Sequence, residues 1–85
     1  MRVISQDGNF DLPYENLAIF IEYENVAARF KNERYLLARY SSEAKAIKAM
    51  EMLRETWINE TVEFEDGIYH RNIIFRFPKD SEIGV

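Results

Sequence analysis

The chain has no cysteine, one histidine, three glycines and two prolines among its 85 residues. Lacking cysteine, it offers no disulfide framework, thiolate metal cage or cysteine nucleophile, and nothing in it argues for secretion. The single histidine, His70, leaves no HExxH pair, and Gly8, Gly67 and Gly84 are too isolated for a GxGxxG or P-loop. No apolar run approaches the ~20 residues needed to cross a bilayer. Arg2 and Asp7 flank only the short pair Val3-Ile4, which is not a signal-peptide pattern. Basic residues are outnumbered, 11 Lys plus Arg against 15 Asp plus Glu, for a formal charge of −4. That balance disfavours duplex nucleic acid, whose binding rests on releasing counterions from phosphates. The expectation is a cytoplasmic protein with no membrane association.

What is present is a core. Hydrophobic residues make up 47% of the chain and aromatic residues 14%, as one Trp, five Tyr and six Phe. Such a composition excludes disorder, and the length fits a single domain spanning residues 1–85. Residues 79–85 are polar and read as a flexible tail with little to hold them.

The hydrophobic periodicity predicts strands around one helix. Short extended arms are expected over 2–6 and 9–14, with Asp7-Gly8 as a turn and Pro13 marking an edge. In 17–23, Leu17, Ile19, Ile21 and Tyr23 share one face, and Ala18, Phe20 and Glu22 the other. A hairpin follows over 26–30 and 34–40, with Leu36, Ala38 and Tyr40 opposing Tyr35, Leu37 and Arg39. A helix is predicted from about 42 to 58, capped by Ser41 or Ser42 with Glu43 in its first turn. Ala46, Ala49, Met50, Leu53 and Trp57 form its apolar stripe, extended by Ile47, while Lys45, Lys48, Met52, Glu55 and Thr56 face away. A second hairpin turns at Asp66-Gly67, and its return strand runs over 68–77 with Ile73, Phe75 and Phe77 on one face. The fold class is therefore α+β, an antiparallel sheet of about five or six strands with the helix packed on one face. A helix ~10–12 Å wide covers about two strands spaced ~4.8 Å apart. The excess apolar face is expected either to be hidden by the sheet curling on itself or to be covered by a second copy in a homodimer, the reading favoured here.

No catalytic residue, cofactor or metal ligand is assigned, and the chain does not read as an enzyme. His70 lies in Tyr69-His70-Arg71 with no nucleophile-elbow pattern around any serine, and it reads as an exposed strand histidine. Glu22 and Glu24, like Glu63 and Glu65, are spaced to share a strand face about 7 Å apart, as two-carboxylate chemistry would require. The competing reading makes them the charged side of an edge strand, where they block edge-to-edge pairing. Arginine stands beside a ring in Arg34-Tyr35, Arg39-Tyr40, Tyr69-His70-Arg71 and Phe75-Arg76-Phe77. Such pairs suit either a protein interface or a surface that stacks bases and grips phosphates. Adjacent positions on a strand, however, point to opposite faces. The candidate partner or ligand residues are therefore Glu22, Glu24, Arg34, Arg39, Glu63, Glu65, Tyr69, Arg71 and Arg76.

Three phrases carry a resemblance. Met1 to Gly8 followed by Asp11-Leu12-Pro13-Tyr14-Glu15, the segment Tyr40 to Arg54, and Phe75-Arg76-Phe77-Pro78-Lys79-Asp80-Ser81-Glu82 resemble short proteins of phages and integrative mobile elements of Firmicutes. No catalytic motif and no functional residue travels with this wording. The resemblance implies an accessory protein of the bacterial cytosol that binds and inhibits a host protein, such as a defence component. Its acidic faces would compete for a basic groove by complementary charge. The alternative is a nucleotide sponge or nucleic-acid-binding module using Arg34, Arg39, Tyr69, Arg71 and Arg76.

Overall fold

The computed structural model describes residues 1–59, 61–64, 67–70 and 73–85, with 61–64 and 67–70 as backbone only. Among the described residues, eight strands and one helix run in the order β1 (Arg2–Ile4), β2 (Asp11–Pro13), β3 (Ala18–Glu22), β4 (Asn25–Phe30), β5 (Glu33–Arg39), α1 (Glu43–Asn59), β6 (Thr61–Phe64), β7 (Gly67–His70) and β8 (Ile74–Arg76). Single 3-10 turns occupy Tyr14–Asn16 and Asp80–Glu82. The α+β class holds, but not the single sheet of five or six strands. The strands form one three-stranded sheet ordered β2-β1-β8, a second ordered β3-β4-β5, and a β6-β7 pair.

The division has a local cause. The return strand expected over 68–77 is two strands, because β8 leaves the hairpin to pair in parallel with β1, Val3 opposite Phe75. Phe75 and Phe77 are thereby buried together, edge to face at 5.2 Å, while Ile74 and Arg76 point outward. β6 and β7 pair antiparallel from Thr61 opposite His70 to Phe64 opposite Gly67. The turn was expected at Asp66-Gly67; Gly67 is instead the first residue of β7, opposite Phe64, and residue 66 lies outside the described residues.

In the second sheet β4 is the central strand, and three successive residues, Val26, Ala27 and Ala28, are fully buried on it. Consecutive buried positions mean a strand covered on both faces. Val26 and Ala28 join the main core with Ala46, Ala49, Met50 and Leu53 of α1, where alanine against alanine brings helix and strand close. Both hairpin turns are two residues long. Lys31 (φ 51°) and Asn32 (φ 67°) are both left-handed, the pattern of a type I′ turn. The helix starts as expected, with the Ser42 hydroxyl accepting from the Lys45 N–H at 3.2 Å. Its stripe is shifted slightly, since Ile47 is exposed and Met52 packs against the core.

The alternation expected in β5 is broken by a bulge between the Val26–Ala38 and Ala27–Leu36 pairs. The extra residue turns Leu37 inward beside Ala38, leaving them 1% and 3% exposed. Leu37 was expected to face away from Ala38. Its displaced carbonyl accepts the Gln6 N–H at 2.7 Å, and this bond joins the two sheets. Gln6 adds two more, accepting from the Arg39 N–H at 3.1 Å and donating to the Pro78 carbonyl at 3.0 Å.

Residues 79–85, expected as a loose tail, make specific contacts. Ile83 is buried in the core, and the Asp80 carboxylate accepts from the Ser41 N–H at 2.7 Å and from Lys45 Nζ at 3.1 Å. A carboxylate beside the first turn of α1 also faces the positive end of the helix dipole.

Candidate interaction surface

Of the nine candidate residues, the side chains of Glu22, Glu24, Arg34, Arg39 and Arg76 are described, and Glu22 with Arg34 is the one pair among them joined by a hydrogen bond or ion pair. Glu22 and Arg34, assigned in the sequence to competing acidic and basic surfaces, are bonded to each other at 2.6 Å. Both are exposed, so the pair contributes ~0–1 kcal/mol to stability. Its larger effect is to cancel the charge that either reading needed. Arg39 is exposed at the end of β5, where its backbone N–H is held by Gln6. Arg76 is exposed on β8, and its guanidinium lies 3.2 Å from where a Cβ would stand on Gly8. With φ at +79°, Gly8 admits neither a side chain's bulk nor its preferred backbone. Glu63 stands opposite Ile68, and Tyr69 opposite Val62. Glu65 and Arg71 lie outside the described residues.

The rings beside the arginines are largely committed elsewhere. Tyr40, Phe75 and Phe77 are buried, and Tyr35 meets Phe10 edge to face at 5.0 Å. The Tyr40 hydroxyl donates to the Pro78 carbonyl at 2.8 Å. Burial first, then the nearby Asp80 and Glu82 carboxylates, push its pKa up, so it stays a neutral donor. These rings support packing and leave little for stacking a base.

Polar clusters follow the same pattern. Buried Ser5 donates to Asp7 Oδ1 at 2.6 Å and accepts from the Phe10 N–H at 3.0 Å. That hydroxyl, with the Asn9 N–H, holds the Asp7 carboxyl below the usual carboxylate range. The arrangement closes the 5–10 turn. Among the described residues no group of three or more His, Asp or Glu is placed to hold a metal ion, and no helix is long and apolar enough to cross a membrane.

Two surface features remain. A groove of about 460 Å³ runs between the start of β3 and the C-terminal half of α1, lined by Tyr14, Leu17, Ile19, Met50, Leu53 and Trp57 together with the charged Glu15 and Arg54. Tyr14 and Trp57 meet at one end with their rings tilted by 42°, 4.8 Å between centroids.

The second feature was missed in the sequence. Tyr23 reads there as the last inward residue of a strand, but it occupies the first position of the β3–β4 turn, 79% exposed and at φ 58°. Glu24, beside it, keeps a negative φ, and its carbonyl accepts the Tyr40 N–H at 3.0 Å. A left-handed residue at the first position of a tight hairpin turn is ordinarily glycine, asparagine or aspartate. A bulky residue there costs on the order of 1 kcal/mol or more. The signal available in the sequence was two alternating runs separated by a dipeptide without a turn-forming residue.

No family model, curated protein or solved structure matches this chain.

Proposed function

We propose that this chain is a non-enzymatic binding module of a phage or mobile element, and that it occludes a host protein through the tip of the β3–β4 hairpin. The observation that carries the reading is Tyr23, a large ring kept fully in solvent on a left-handed backbone position. Strain retained at an exposed aromatic residue has no use within the fold, whereas tyrosine is among the commonest anchors of protein interfaces. Glu22 and Glu24 flank the ring, and Glu22 is already held by Arg34. The exposed Glu24 carboxylate therefore sets the partner's chemistry: a pocket for a phenol ring with a cationic rim. The wording shared with mobile-element proteins supports a bacterial host as the source of that partner.

The test is capture from a bacterial host lysate by the immobilised chain, comparing wild type, Tyr23→Gly and Lys31→Ala at the opposite tip. An anchor worth ~2 kcal/mol predicts about thirty-fold less of a retained protein with Tyr23→Gly and no loss with Lys31→Ala. Because glycine relieves the strain, that loss cannot be ascribed to unfolding. Equal retention by Tyr23→Gly, or a wild-type chain that retains nothing specific, would remove the reading.

A further inference from the structure

The β3–β4–β5 sheet has two outer edges, and hydrogen-bond alternation says which groups each presents. Glu22 and Asn25 flank a two-residue turn, so they form a hydrogen-bonded pair, as do Phe20 with Ala27 and Ala18 with Arg29. The N–H and C=O groups of Ile19 and Ile21 consequently point away from β4, off the edge of the sheet. No described residue bonds to them. The strand that carries them, Ala-Ile-Phe-Ile-Glu, has none of the usual edge protection: no lysine, proline or bulge, and a charge only at its end.

We propose that β3 is a dimerisation strand, pairing antiparallel with β3 of a second copy to make one continuous six-stranded sheet. The edge is self-complementary in a single register. Pairing Ile19 with Ile21 of the partner copy satisfies all four outward groups on each strand, and two-fold symmetry repeats the match. A shift toward the N-terminus would require Leu17, whose N–H is already given to the Tyr14 carbonyl. A shift toward the C-terminus would require Tyr23, which is in the turn. In the matching register Phe20 faces its own copy, and Ala18 faces the partner's Glu22.

The neighbouring groove fits the same occupant. Ile19 lines it, and Ile21 shares that face of the strand. The second copy's Ile21, adjacent to Ile19 on that face, therefore lies over the groove between β3 and α1. Leu17, half-buried on the groove wall, would then be covered by an apolar side chain, next to Met50 and Leu53, which are buried already. Two helices would lie on the same face of the joined sheet. Tyr23 of each copy would stand at opposite ends of the paired strands, six residues or about 20 Å apart. The pairing itself does not depend on the host-protein reading.

The test is solution mass by light scattering over a concentration series, with variants that separate this edge from any other interface. Wild type is expected at twice 10.1 kDa. Ile21→Pro removes an outward N–H and no bond to β4, so it is expected to fold, by circular dichroism, and to run as a monomer. Ala18, which is exposed, supplies a second arm that does not disturb the backbone. In an Arg34→Ala background, which frees Glu22 of its ion pair, Ala18→Lys faces the partner's Glu22 and should tighten the dimer several-fold, and Ala18→Glu should weaken it by a similar factor. A monomeric wild type at all concentrations overturns the proposal. So does a dimer whose affinity ignores the sign of the charge at position 18, whatever Ile21→Pro does.

Discussion

The β5 edge of the second sheet carries Glu33, Arg34 and Arg39, a bulge at Leu37 and a strap from Gln6; the β3 edge carries Ile19, Phe20 and Ile21, with no backbone hydrogen bond laid across it among the described residues. Both belong to one sheet and are separated only by the central strand β4. Charge, bulge and a covering segment are the ordinary devices that keep a sheet edge from pairing with another chain. All three occur on β5, whereas β3 has only the charge of Glu22 at its end. Protection of one edge shows that the fold has these devices available, and the contrast with the other is the ground on which the proposed β3 pairing rests.

The largest way to break the comparison is through the bulge. If the extra residue in β5 serves to turn Leu37 inward, Leu37→Ala should cost ~2–5 kcal/mol, as for other fully buried leucines. Leu36→Ala, at a half-buried position on the same strand, should cost clearly less. Urea midpoints of the two variants decide it. Equal losses would mean the bulge does not set which leucine anchors the strand.

Next in size is the strap. Gln6→Ala removes both side-chain bonds, leaving the Arg39 N–H without an acceptor while the Pro78 carbonyl keeps the Tyr40 hydroxyl. Two side-chain bonds lost, at ~0.5–1.5 kcal/mol apiece with water able to reach the Arg39 N–H, predict a destabilisation of ~1–3 kcal/mol. Amide hydrogen exchange should show the Arg39 N–H losing protection first. An unchanged Arg39 rate would mean that Gln6 does not guard the edge.

The two tips of the same sheet sharpen the contrast at a smaller scale. Asn32 is left-handed by a preference that asparagine shares with glycine, so Asn32→Gly should leave stability within a few tenths of a kcal/mol. Tyr23 has no such preference, and Tyr23→Gly should stabilise the chain by about 1 kcal/mol, raising Tm by about 4–8 °C for a domain of this size. If Tyr23→Gly gives no gain, the position is unstrained and the argument for a retained anchor loses its footing.

Which parts of this were legible in the sequence follows from the range of the interactions. The helix could be read closely, because its cap at Ser42 and its stripe of Ala46, Ala49, Met50 and Leu53 are local patterns. The β3 and β4–β5 strands were legible for the same reason. The partition into two sheets was not, because it depends on β8 meeting β1 across seventy residues, and period-two alternation is silent about partners. Leu37 was misplaced because one inserted residue inverts the faces of everything beyond it. Of the candidate site, Glu22 and Arg34 were named individually, yet nothing in the spacing predicts that they neutralise each other. Tyr23 was hidden by its own type: an aromatic residue ending an alternating run looks like a strand residue until the turn is counted.

The smallest effect concerns how the end of β5 is braced from the C-terminal side. The Asp80 carboxyl is held below its ordinary value of 3.8, first by the Ser41 N–H, then by Lys45. A carboxylate whose pKa is depressed on folding adds stability that is complete above the ordinary value and is lost as pH falls through the folded one. Asp7 and Asp11 are depressed as well, so the acid limb of wild type mixes several groups. The informative quantity is the difference between wild type and Asp80→Asn, which cannot titrate. That difference should be constant near neutral pH and close below about pH 4, where the protonated aspartic acid comes to resemble the amide. A gap that persists to about pH 2 would mean the carboxyl acts through its shape and not its charge. The brace on β5 would then be steric, and the two edges would differ in packing more than in electrostatics.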